Sequence, residues 1–468
     1  MTFFSKNHVP FLVLFLIVFI SRFPFLSAGY GIEEDSWGIA LAAFHTHQSG
    51  IYEPSRLPGH PVQELIYSAL WGAGPIVFNG FCAFFSGIGA VFFALILQSI
   101  QFKHFFIAAL AFAFVPVYYI SSTYTIDFVW TEAFVLISLY YLLKNKLIVS
   151  GIFLGLAVGC RITSGAMLLP FMIIIWQNKN LKQNFIQLLK ISIPMSVVSI
   201  VSFIPIIQQY GFSFFIYYDQ FPYPSITKVI YKMILGVFGF VGVIAIGISI
   251  VSIILNRKKQ NFGESFLNKL DNKIIVASFL IIILFSISYF RLPQKSGYMI
   301  PIIPFIILLF GYYLNSKKFK IWSIALILSS FICSINLTDK LRGAEYSKYA
   351  FVFTVSGQEI FFDLFSGPLF SDYSKRKQKE KYTEEVIQKT KKLKTKTVII
   401  AGWWYNEIAV NLINRSSNNL VAYEFYIDST QINKYLAKDY EIVYLPEQNI
   451  HNDLKFKMEI TDNIAKPF

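Results

Sequence analysis

The chain has 468 residues, 55% of them hydrophobic, and only 15% are charged, against roughly 25% in a soluble globular domain. An ordinary cytosolic enzyme is excluded. The net charge of +14 arises almost wholly within residues 1–338, which hold 22 basic and 10 acidic residues, while residues 339–468 hold 19 and 17; the excess therefore reads as membrane topology and not as a nucleic-acid-binding face.

A hydrocarbon core of about 30 Å takes about 20 helical residues to cross. Apolar runs of that order recur near 9–28, 76–98, 104–122, 125–143, 186–206, 226–255, 274–290, 298–314 and 320–338. The stretch 147–176 reads as two short helices broken near Arg161, because a single crossing would move Lys179, Lys182 and Lys190 to the side opposite Lys103 and Lys144. The expected fold is mainly α: a polytopic membrane bundle of about 11 crossings in the plasma or inner membrane. The first run is expected to stay as an uncleaved helix, given its length and Arg22, although Lys6 and the small residues near Ala28 also suit a signal peptide. Basic residues gather in the loops on the N-terminal side, so the N-terminus is expected in the cytoplasm and residues 339–468 outside. The basic run at 375–396 is discordant, but long translocated domains follow the rule poorly.

Residues 339–371 read as an irregular linker with a turn at Ser366-Gly367-Pro368. A charged helix over 372–395, a strand over 397–401, a strand-like run over 420–427, a polar helix over 429–438 and a strand over 441–445 then predict a small α/β domain. Gly402 follows the first strand without a glycine-rich fingerprint, so nucleotide binding is not supported. Cys82, Cys160 and Cys333 lack metal-ligand spacing and suggest neither a disulfide framework nor a zinc site.

Chemistry concentrates in the first outer loop, residues 29–64. Five of the ten acids of the membrane part lie there: Glu33, Glu34, Asp35, Glu53 and Glu64. Such a cluster at the mouth of a helical bundle suits a general base toward a hydroxyl, or oxygen ligation of a divalent cation. Glu33 and Glu34 equally suit the start of a helix running through Trp37 and Phe44, and Asp35-Ser36 is a legitimate N-cap pattern. His45 and His47, two residues apart, diverge on a helix and read as solvated or hydrogen-bonded. His60, held between prolines in LPGHP, is the better substrate contact. Arg161 needs a partner or a watery cavity at membrane depth, and a phosphate meets that need. Arg291, Lys295 and Tyr298 fall at the outer end of a later helix, where paired guanidinium donors suit a departing phosphate; for Lys295, interfacial snorkelling is the simpler account. Asp127 reads equally as a cavity acid and as a helix-start acid, and Glu132 as an acid facing the bundle interior. The aromatic loop over 212–223, with Tyr217, Tyr218 and Asp219, suits either sugar stacking or the interfacial belt.

Taken together, the EEDSW loop, the LPGHP segment with Arg56 just before it, GLAVGCRITSGAMLLP and FRLPQKSGYMIPIIPF resemble, in order and membrane sidedness, the GT-C superfamily of membrane glycosyltransferases, which includes protein O-mannosyltransferases and lipid A aminoarabinose transferases. The resemblance covers roughly residues 9–338 and, more loosely, a C-terminal extracytoplasmic domain. It implies transfer of a sugar from a polyprenyl-phosphate carrier to a lipid, glycan or protein acceptor on the outer face. Asp35 matches the family's loop acid best, with Glu34 competing; Arg291 matches the donor-phosphate arginine, with Arg161 in the same cavity. The sequence has no clear Asp-x-Asp pair. Two other readings stay open: a transporter or flippase of lipid-linked glycans, which internal repeats would favour, and a membrane anchor presenting the tail as an interaction module.

Overall fold

Small residues set how the first helices pack. Gly151, Gly155 and Gly159 recur every fourth residue along the Leu147–Cys160 helix and form a bare face on which the long Leu181–Tyr210 helix lies. A Cβ at Gly155 would stand 2.7 Å from that of Val198, so only glycine admits this approach. The computed structural model describes residues 8–176, 180–212, 223–256, 269–337, 350–355, 358–415, 417–445 and 465–468. Arg257 to Lys259 and most of the 212–223 aromatic loop, including Tyr217, Tyr218 and Asp219, lie outside them.

The chain breaks at Arg161 as expected: its backbone is extended (φ −158°, ψ 111°) between Leu147–Cys160 and a 3-10 segment, Ile162–Met167, that leads into Leu168–Ile175. The break leaves the arginine at the end of a helix, beside the segment 29–64. Five described helices are long and apolar enough to cross a membrane: Pro75–Ser99, Leu181–Tyr210, Leu235–Leu255, Asn272–Arg291 and Ser296–Tyr313. Shorter apolar helices accompany them, including Val9–Phe25 and Phe128–Leu143. The sequence reading of about 11 full crossings is thus not reproduced helix for helix. One reason is that Pro116 forces Val115 out of helical geometry (ψ 133°) and divides the 104–122 run into Phe105–Phe114 and Pro116–Ser121. The Val9–Arg22 helix is an integral part of the bundle. Its buried Arg22 donates through Nε to Ser122 Oγ (2.9 Å) and lies over the Tyr119 ring at 3.9 Å.

The stretch expected to be an irregular linker is structured in its second half. Ala350–Val355 and Gln358–Asp363 pair antiparallel, and Ser334–Leu337 joins the other edge of Gln358–Asp363. The last apolar run accordingly ends early, with its helix at Ser316–Leu328, because its final residues are spent in the sheet. Beyond it the α/β alternation holds: helix Pro368–Thr390, strand Thr397–Ile400, helix Tyr405–Leu412, strand Val421–Glu424, helix Ser429–Leu436 and strand Glu441–Tyr444. These strands, with Lys466–Pro467, form a parallel sheet in which Thr397–Ile400 lies between Val421–Glu424 and Glu441–Tyr444. The domain sits on the same end of the bundle as residues 29–64. Arg376 donates to Phe25 O (3.2 Å), Thr123 O (3.1 Å) and Thr123 Oγ1 (3.0 Å), and Lys377 to Ser27 O (2.6 Å).

Candidate active site

The EEDSW segment opens the Glu34–Ser49 helix. Glu33 occupies the N-cap position but its side chain makes no capping bond; it turns instead to Lys295. Asp35 stands in the first helical turn, so it is not the cap residue that Asp-Ser suggested. Its carboxylate is gripped by Lys295 and, at 3.0 Å, by Arg56. Lys295 therefore does not snorkel: two carboxylates draw it to the loop, because a half-buried ammonium gains more from opposite charge than from the interface.

Arg56 spans two acids. One nitrogen faces Asp35, and its Nη2 donates to Asp127 Oδ1 at 3.1 Å. Asp127 precedes the Phe128–Leu143 helix, makes no capping bond, and is fully buried. Its second oxygen accepts from Arg161 Nη1 at 2.7 Å and lies 3.7 Å from His60 Nδ1. Asp127 stands at the helix start, but its carboxylate is spent on ion pairs and not on a cap. The Arg161 guanidinium lies against two rings, Tyr298 (4.4 Å) and Phe128 (4.8 Å), which meet edge to face at 5.8 Å. Gly297 permits this, since a Cβ there would collide with the Phe128 ring.

His60 is buried and is fixed by its neighbours. Nδ1 lies 2.6 Å from the Cys160 carbonyl, which only accepts, so Nδ1 carries the proton. Nε2 is then a bare acceptor, buried and without a hydrogen-bond partner among the described residues. Glu64 organises the LPGHP turn by accepting from the backbone N–H groups of Ser55 (3.0 Å) and His60 (2.9 Å), and from the Tyr52 hydroxyl. His45 and His47 do part, toward Glu53 Oε1 (3.0 Å) and Ser68 O (3.1 Å).

Charge states separate neighbouring acids. Burial alone would raise the Asp35 carboxyl, but Arg56 and Lys295 outweigh it and hold it at about 2. Glu34, one residue earlier, is raised to about 8 by burial and by the Asp35 charge beside it. Burial also opposes the charge on Asp127, yet His60, Arg161 and Arg56 keep it well below the usual carboxylate range. Burial lowers His60 and leaves it neutral. Asp35 is thus ionised and Glu34 carries a proton at neutral pH.

Asp35, Arg56, His60, Arg161, Lys295 and Tyr298 are brought together, joined by Glu33 and centred on Asp127. Arg291 is exposed at the end of the Lys269–Arg291 helix, four residues before Lys295. Glu132 is buried in the Phe128–Leu143 helix, away from these pairs. As arranged, the acids do not fit a divalent cation: Asp35 and Asp127 already face three basic side chains, and no group of three or more His, Cys, Asp or Glu converges among the described residues. Sequence reading did not find Asn406, whose Nδ2 donates to Glu34 Oε1 at 2.9 Å across 372 residues; no local pattern marks it.

No protein-family model matches this chain, and no curated protein does. Among solved structures it is similar to ArnT from Cupriavidus metallidurans bound to undecaprenyl phosphate, at 12% identity and a TM-score of 0.50, over 99% of this chain and 90% of that one. The apo form of the same ArnT gives 11% identity and a TM-score of 0.49 over the same shares. The chain is an integral membrane protein with an ArnT-like fold: a helical bundle followed by a small C-terminal α/β region.

Proposed function

We propose that this chain is a membrane glycosyltransferase that moves a hexosyl or pentosyl group from a polyprenyl-phosphate carrier to a hydroxyl of a lipid, glycan or protein acceptor, on the extracytoplasmic face. The observation that carries the reading is the partly exposed node in which Asp35 pairs with Lys295 and Arg56, and Arg56 also pairs with the buried Asp127. The ArnT-like fold supports it, since that ArnT holds undecaprenyl phosphate. A membrane fold suits the task because the carrier's tail stays in hydrocarbon while its head meets water.

Charge accounts for the roles. Arg56, Arg161 and Lys295 balance Glu33, Asp35 and Asp127, with His60 and Glu34 neutral. A sugar phosphodiester brings one more negative charge and competes with Asp35 for Arg56 and Lys295. Losing those partners makes Asp35 a stronger base. The acceptor hydroxyl then gives its proton to Asp35, its oxygen bonds to the anomeric carbon, and the carbon's bond to the phosphate oxygen breaks. The electron pair leaves with the phosphate, whose growing charge the guanidinium groups and Lys295 stabilise. Asp127 and Tyr298 orient Arg161, and His60 Nε2 accepts from a sugar hydroxyl. Arg291 supplies the first contact for the incoming carrier phosphate. Glu34, protonated, keeps a second negative charge away from the leaving group.

The test is transfer from labelled polyprenyl-phosphate sugars to membrane acceptors. Full activity in both Asp35→Ala and Glu34→Ala rejects the assignment. Carrier movement without any glycosidic bond formed supports the transporter reading instead.

A further inference from the structure

We propose that the C-terminal domain completes this site, with Asn406 as a positioning residue that holds the Glu34 carboxyl and Gly38 as the opening in the loop helix that admits it. The inference rests on the glycosyltransferase reading above. Asn406 lies in the first turn of the Tyr405–Leu412 helix, which packs across the Glu34–Ser49 helix, and its amide donates to Glu34 Oε1 at 2.9 Å. The approach is close at Gly38: a Cβ there would lie 3.1 Å from Asn406 Nδ2, so the amide would have to give by a few tenths of an ångström, with the Ser55 carbonyl at 3.7 Å behind.

Lys379 makes the contact rigid from both sides. From the Pro368–Thr390 helix it donates to Ile32 O (3.1 Å), two residues before Glu34, and pairs with Glu407 (3.1 Å), one residue after Asn406. Its ammonium also lies 5.1 Å over the Trp404 ring. One side chain thus ties the loop backbone at Ile32 to the Glu407 carboxylate beside Asn406. The charged groups facing Glu34 are Asp35, Lys295 and Arg56 from the membrane half and Lys379 from the C-terminal domain, so the domain supplies both the amide and one of the three nearby cations. Sequence order hides this, because the loop and the domain meet only after the whole bundle has formed.

A hydrogen bond donated to a carboxylate favours its charged form. Removing the amide without admitting water, as in Asn406→Leu, therefore makes Glu34 ionise at higher pH. The experiment uses the full chain in detergent and measures the affinity of undecaprenyl phosphate between about pH 6 and 10. The wild type is expected to lose affinity as Glu34 ionises, and Glu34→Gln to lose that step. Asn406→Leu should move the midpoint up by about one pH unit, the size of one hydrogen bond to a charged group. Gly38→Ala should move it the same way by less, and it decides the matter if Asn406→Leu does not fold. A wild-type midpoint in the folded variant, with the step still lost in Glu34→Gln, overturns the inference and leaves the glycosyltransferase reading intact. Unchanged affinity in Arg56→Ala and Arg161→Ala instead overturns that reading.

Discussion

Two charged clusters lie at the loop end of this molecule, one around Asp127 and one around Arg376, and they spend their charges differently. Arg376 is sealed: its side chain is 0% exposed, and its donors are used on Asp372, Phe25 O and Thr123. It fastens the C-terminal domain to the bundle. Around Asp127 the acid is equally buried, but Arg56, Arg161 and Lys295 keep 11%, 18% and 18% of their side-chain surface. A clamp whose cations are wholly sealed in protein is structural, whereas Arg56 and Arg161 meet on the buried Asp127 and Lys295 on Asp35 while all three keep some exposure, which suits the anion site proposed above.

The comparison is broken most forcefully at Asp35. Asp35→Asn keeps the shape and removes the proton acceptor, so transfer of labelled sugar should fall about 10²- to 10⁴-fold, while thermal unfolding in detergent changes far less. Equal losses of activity and stability would make the open cluster structural too. Next, Arg376→Met removes the sealed clamp and strands Asp372. It should cost roughly 3 to 5 kcal/mol of stability, read as a lower unfolding temperature and faster proteolytic release of residues beyond 390.

A smaller, pH-dependent effect belongs to Glu34. Its folded value, about 8, lies above the ordinary 4.5, so the unfolded chain gives up this proton first. Glu34 therefore costs no stability below about pH 4.5, and the cost grows as pH rises toward 8. Unfolding temperatures of Glu34→Gln and the wild type should converge near pH 5 and separate by pH 8, with the variant higher. The smallest effect is expected from Arg415→Ala. Its pair with Glu384 is 37% and 45% exposed, and its loss should cost about 0.5 kcal/mol and leave undecaprenyl phosphate affinity unchanged.

Much of the architecture was legible because its cause is local. Apolar runs place helices, lysine placement argued for a break that fell at Arg161, and short apolar runs between helical patterns gave the Thr397–Ile400 and Glu441–Tyr444 strands. The hairpin at 350–363 was missed because its outer partner, Ser334–Leu337, is an apolar segment that reads as the end of a helix. The acidic loop was visible as a concentration of rare charges. Which cation meets which acid was not: Lys295 read as a snorkelling lysine, and nothing local marked Arg56 as the partner of both Asp35 and Asp127.

The sequence by itself determined that this chain enters a membrane, that its acids gather in one loop, and that a small α/β unit follows. These are consequences of composition and period, which neighbouring residues decide among themselves. Only the tertiary structure decided that Asp127 lies between Arg56 and Arg161, that Asp35 is ionised while Glu34 is not, and that Asn406 reaches back to the loop. Electrostatic partnership depends on distance and burial in space, and both are set only when helices far apart in the chain have packed.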